Sequence, residues 1–236
     1  MRPLAVIGHL SRDVVGGGPP RIGGAPWYAG RALHVLGQDA MLFAKCGADE
    51  RARFQRRLAS LGLPAALSVG GTTTAFSFSY NSSGARTMHV DAVGDPWRLD
   101  EPPSALLRRV DWLHVAPLLR SDFEAAALER LGAGRRLLLD AQGLVRVPQR
   151  GPLTPDADYD PEALRHVSIL KLAVEEAQVL AGGGLPAGFG VAVAEDDPDR
   201  MLYAARNRLY VSRNGGVFWS SLPFELPDVL AVAWID

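Results

Sequence analysis

Short apolar runs ending in glycine or aspartate alternate with amphipathic segments closed by glycine, from residue 4 to about residue 181. Residues 4–8 are continuously apolar, which predicts a strand buried on both faces, the habit of parallel sheets. Residues 16–20, GGGPP, read as a turn or loop. Residues 27–36 then predict a helix closed by Gly37, residues 40–44 a strand, and residues 51–61 a helix closed by Gly62. The pattern resumes with strands at 112–115, 136–139 and 168–172, and helices at 122–131, 161–167 and 175–180. Strands and helices in alternation predict a βαβ architecture: a mostly parallel sheet flanked by helices.

Two segments break the alternation. Residues 72–80 and 86–93 are rich in β-branched and aromatic residues and flank the turn sequence NSSG at 81–84, which predicts a β-hairpin. After GGGLPAG at 182–188 the sequence offers only short strands: 190–194, 201–205, 209–212, 217–219 and 229–235. Their spacing predicts an antiparallel meander. Two units follow, residues 1–184 and a short antiparallel β tail at 185–236.

Charge and cysteine content exclude several functions. The formal net charge is −1, so no basic field draws nucleic acid or an anionic membrane. Arg51, Arg53, Arg56 and Arg57 read as a solvated helix face, since no aromatics interleave. One cysteine, Cys46, excludes an intrachain disulfide framework. No apolar stretch approaches the ~18 residues of a membrane span, and no cleavage pattern follows the first residues. The expectation is a cytoplasmic protein. His9, His34, His89, His114 and His166 lack metal-ligand spacing and read as structural.

Four motifs stand in order: GHLSRD at 8–13, GGAPWYAGRALHVLG at 23–37, LDAQGLVR at 139–146 and LKLAVEEAQVLAGG at 170–183. A carboxylate at a strand end can accept hydrogen bonds from vicinal hydroxyls, and such crevices hold ligands in open α/β sheets. Asp13 reads as that carboxylate, or else as a turn cap. Gly23 and Gly24 permit close backbone approach and leave amides at a helix start, or form a plain loop.

The ordered set resembles the PfkB (ribokinase-like) family of ATP-dependent carbohydrate kinases over residues 1–184. The resemblance implies that Asp13, Gly23, Gly24 and Tyr28 line a sugar, polyol or nucleoside pocket. It makes residues 72–93 a lid hairpin through which two copies form a homodimer. The family has asparagine where this chain has Tyr28, a departure shared with relatives that resemble inositol or nucleoside kinases. Glu176 matches the glutamate of an Asn-x-x-Glu motif whose asparagine is replaced here by Ala173. Glu176, Lys171 and Asp140 are thereby associated with phosphate and magnesium, with no direct metal ligand; for Glu176 a solvated helix face remains the alternative. ATP and magnesium are the implied cofactors.

The family draws its anion hole and aspartate base from a late Gly-Ala-Gly-Asp motif, and this chain contains no such sequence. Residues 212–219, SRNGGVFW, instead resemble the Asp-box (BNR, sialidase-type) repeat with Asn214 for its aspartate, and the tail resembles one propeller blade. A truncated or rearranged frame, a natural fusion, or a fragment of a longer product would each give this pattern. The expected function is phosphorylation of a sugar, polyol or nucleoside hydroxyl by a fold whose catalytic loop is absent from this chain, so the chain alone is expected to be inactive. The alternative is a non-catalytic polyol-binding or interaction protein.

Overall fold

The computed structural model describes residues 4–81, 86–98, 100–101, 104–180, 190–193, 197, 199–205 and 208–223. Six parallel strands form its central sheet: β1 (Leu4–His9), β4 (Ala40–Gly47), β5 (Ala65–Gly70), β8 (Trp112–Ala116), β9 (Arg136–Asp140) and β11 (Ile169–Lys171), in the order β11-β9-β8-β1-β4-β5. Alternation along β1 feeds two cores. Ala5 and Ile7 join Leu113, Val115 and Leu137 on one face. Val6 joins Leu42 and Ala44 on the other, against Phe54 and Leu58 of α2 (Arg51–Ala59). Burial of each valine, leucine, isoleucine or phenylalanine among them stabilises by about 1.5–3 kcal/mol. Helices α1 (Ala25–Val35), α4 (Ala125–Gly132) and α6 (Val174–Leu180) also border the sheet, with one-turn helices α3 (Ser104–Leu107) and α5 (Gln142–Val145). The expected α/β fold with a mostly parallel sheet is therefore present.

The lid is larger than the expected hairpin. β6 (Thr74–Tyr80) and β7 (Arg86–Ala92) pair antiparallel as predicted, but inside a five-stranded sheet ordered β10-β7-β6-β2-β3. Its other members are β2 (Ser11–Val15), β3 (Arg21–Gly23) and β10 (Gly151–Pro152). Because β2 pairs parallel with β6, the lid is tied directly to the chain leaving β1. Residues 82–84 of the predicted hairpin turn lie outside the described residues.

A strap over residues 93–98 joins lid to core. His9 Nε2 donates to the Asp95 carbonyl at 2.8 Å, and Lys45 Nζ donates to the Pro96 carbonyl and the Glu101 carboxylate at 2.7 Å. Trp97 stacks on Phe123 with ring centroids 6.0 Å apart. These partners explain why Lys45, only 2% exposed, is tolerated inside.

The tail contributes β12 (Gly190–Val193), β13 (Met201–Ala205), β14 (Arg208–Ser212) and β15 (Trp219–Ser221), an antiparallel sheet in sequence order. Val193 belongs to the main core, and Tyr203 packs on Ala177 of α6. Ser212 closes the β14–β15 turn: its Oγ accepts from the Gly216 amide at 2.9 Å and bonds Asn214 Oδ1 at 3.0 Å. Asn214 Oδ1 accepts from the Phe218 amide at 2.9 Å. The SRNGG sequence thus acts as a turn device. The predicted strand at 229–235 and the 182–188 linker lie outside the described residues.

Candidate functional site

One face of the lid sheet forms the wall of a cavity of about 480 Å³. Cross-strand pairing puts Asp13 beside Arg21 on one side and Phe76 on the other, then Val15 beside Phe78 and Met88, then Tyr80 beside Arg86. All line the cavity, so its floor is apolar and its rim charged. Gly24 and Tyr28 from the start of α1, and Gln142 and Arg146 from α5 and the residue after it, close the opposite side.

Asp13 is not at the end of a core strand, as the sequence implied; it lies within lid strand β2. The correction follows from Ser11 to Val15 pairing with β6, an extended run too short and polar to stand out in the sequence. Its Oδ1 is buried and has no hydrogen-bond partner among the described residues. Burial pushes the Asp13 carboxyl above the usual range, outweighing a hydrogen bond to Ser11 and the nearby Arg146 charge. A buried acceptor lacking a donor is the kind of group a ligand hydroxyl completes.

The two glycines have distinct tasks. A Cβ at Gly23 would lie 2.0 Å from Asp13 Oδ2 and 2.5 Å from Ser11 Oγ, so Gly23 makes room for the carboxylate rather than lining the cavity itself. Gly24 adopts φ +91°, and a Cβ there would meet the His9 carbonyl at 2.2 Å. Tyr28 is 54% exposed at the mouth, with burial and the Asp13 charge both raising its pKa.

The residues assigned to phosphate form a second group. Asp140 ends β9 and Lys171 ends β11, one strand over. Lys171 Nζ and His114 Nε2 both donate to the Asp140 carboxylate. Burial would raise the Asp140 pKa, yet these partners hold it below the ordinary carboxylate value. Glu176 accepts from the Ala173 amide at 2.8 Å. None of the three lines the lid cavity.

Arg146, which the sequence reading quoted only as part of LDAQGLVR, connects the two groups. Its Nη2 stands 4.0 Å from Glu176 Oε1, while its guanidinium also lines the cavity and acts on the Asp13 charge. Burial pushes its pKa down, opposed by Glu176. The missed signal was its place one turn after a strand-ending aspartate. Among the described residues no three His, Cys, Asp or Glu side chains gather as a metal-ligand set, and no helix is long and apolar enough to cross a membrane.

No family model matches the sequence, and no curated protein does. Solved structures match its fold. A pyrophosphate-dependent kinase of the ribokinase family, complexed with a pyrophosphate analog and myo-inositol, superposes with TM-score 0.63 at 21% identity, covering 94% of this chain and 78% of that one. Ribokinase from Giardia lamblia gives 0.56 at 18%, covering 79% and 62%. A PfkB protein from Polaromonas sp. JS666 gives 0.56 at 16%, covering 79% and 70%. The fold is ribokinase-like. Coverage of 94% leaves out fewer residues than the tail contains, so the first likeness runs into residues 185–236.

Proposed function

We propose that the lid cavity binds a sugar, polyol or nucleoside through Asp13, in a fold suited to phosphoryl transfer onto one of its hydroxyls. The observation that carries this reading is the buried, unpartnered Asp13 Oδ1 on the cavity wall. A neighbour whose structure holds myo-inositol and a pyrophosphate analog supports a polyol acceptor, and adds pyrophosphate to ATP as a donor to test. Lys171, 63% exposed beside Asp140, is the cation that would face a donor phosphate. Asp140 and Glu176 each already have a basic neighbour, which fits outer-shell contact with a hydrated magnesium better than direct ligation. Magnesium would supply charge neutralisation of the donor.

The chain has no Gly-Ala-Gly-Asp sequence, hence no recognisable base. On this reading the chain alone binds polyol without turnover. The same absence favours the second reading, a non-catalytic polyol-binding protein. Calorimetric titration with polyols, run beside ADP- and phosphate-release assays on this chain, tests both: turnover lost on Asp13→Ala supports the enzyme and overturns the expected inactivity of the chain alone, whereas binding without turnover favours the second reading. The tail is proposed as a continuation of the kinase fold's sheet edge, since β12 lies against β11. A homodimer through the lid belongs to the same proposal, because β10 covers only His89 and Val90 of the β7 edge; light scattering tests it.

A further inference from the structure

The charges on the cavity wall do not balance for a neutral ligand. Arg21, Arg86 and Arg146 line it, and Asp13 is its sole carboxylate among the described lining residues. Among the described residues neither Arg21 nor Arg86 forms an ion pair, and the Arg146 side chain has only the 4.0 Å approach of Glu176. Arg86 Cζ lies 5.7 Å over the Phe78 ring, within cation–π range, which holds the charge beside the cavity floor. Arg86 and Arg146 line the same cavity and lie near enough for each to feel the other's charge, with Glu176, Asp140 and Asp122 also facing Arg146. Arg21 and Asp13 are directly paired across β3 and β2, so a basic and an acidic group share one face.

We propose that the polyol taken by this cavity carries an acidic group, a carboxylate or a phosphate, held where Arg86 and Arg146 face the cavity, while Asp13 accepts from its hydroxyls. This rests on the polyol reading above. Guanidinium N–H groups match an oxyanion in bidentate geometry, and the contact strengthens over an apolar floor such as Phe76, Phe78 and Met88. The cavity volume lies within the roughly 300–1,000 Å³ of small-molecule pockets.

The test is isothermal titration calorimetry on the full chain with sorbitol, gluconate and sorbitol 6-phosphate, which share a six-carbon polyol skeleton, and with inorganic pyrophosphate. At least one acidic probe is expected to bind about tenfold or more tighter than sorbitol, the carboxylate and phosphate arms showing which acid fits. Arg86→Gln should remove most of that preference, Leu58→Ala, at a residue that lines no part of the cavity, should keep it, and Asp13→Ala should weaken the polyols alike. Sorbitol binding as tightly as both acids overturns this inference and leaves the polyol reading standing. Pyrophosphate alone binding as tightly as the better acid overturns it too, assigning the arginines to a donor. No binding by any polyol, on a sample that melts cooperatively, overturns both readings.

Discussion

A Cβ placed on Gly23 would stand 2.0 Å from Asp13 Oδ2, so the glycine's missing side chain is the space that the carboxylate occupies. Since β2 and β3 pair in that register, neither strand can shift to relieve the clash without breaking the lid sheet. Gly23→Ala is therefore expected to displace Asp13. Polyol affinity should fall about tenfold or more, consistent with ~1–3 kcal/mol for a disrupted buried polar contact. An unchanged affinity, measured calorimetrically, would remove Asp13 from the site.

The buried pair His9–Asp122 gives a pH signature. His9 Nδ1 lies 3.0 Å from Asp122 Oδ2, an ion contact off the line of a hydrogen bond, with both side chains at most 1% exposed. Burial lowers the His9 pKa, but the Asp122 charge and the Asp95 carbonyl outweigh it and raise the value above 6.5. A raised histidine pKa stabilises the fold fully below the unfolded value and loses that contribution as pH rises through the folded value. The melting temperature should therefore fall as pH climbs above about 6.5. His9→Gln, which keeps an amide donor for Asp95, should flatten the slope; an identical slope in both proteins contradicts the assignment.

Ser212 is 1% exposed and serves the Asn214 and Gly216 amides at once. Ser212→Ala leaves both donors short of an acceptor, at a cost of ~1–3 kcal/mol. Hydrogen exchange at residues 214–219 should accelerate, while polyol binding stays as it was. Unaltered exchange there would mean that the glycines alone hold the turn.

Leu58→Ala removes a buried contact of α2, at a residue that lines no part of the lid cavity. Chemical denaturation should report a loss of ~2–5 kcal/mol. Polyol affinity should be unchanged under conditions where the protein stays folded, which separates a stability defect from a binding defect.

The central sheet was legible in the sequence because β1, β4, β8 and β9 are short apolar runs, β4 ending in glycine and β9 in aspartate. β5 escaped notice: AALSVG is half-buried at the sheet edge and carries no turn residues before its final glycine. β2 and β3 escaped for another reason. SRDVV and RIG have little hydrophobic signal; β2 is a strand because β6 pairs with it from about sixty residues away, and β3 because it pairs in turn with β2. Asp13, Gly24 and Tyr28 carry a motif and do share a cavity, yet Arg21 and Arg86 were invisible, because cross-strand register and not spacing brings them there.

The most direct measurement is calorimetric titration of the parent chain and Asp13→Ala with sorbitol, myo-inositol, gluconate, sorbitol 6-phosphate and a nucleoside, beside product-release assays with ATP and with pyrophosphate. The account predicts saturable binding of at least one of these by the parent, a loss of about tenfold or more in Asp13→Ala, and no donor-dependent turnover by this chain alone. Equal affinity in the two proteins, or turnover that survives Asp13→Ala, would contradict it.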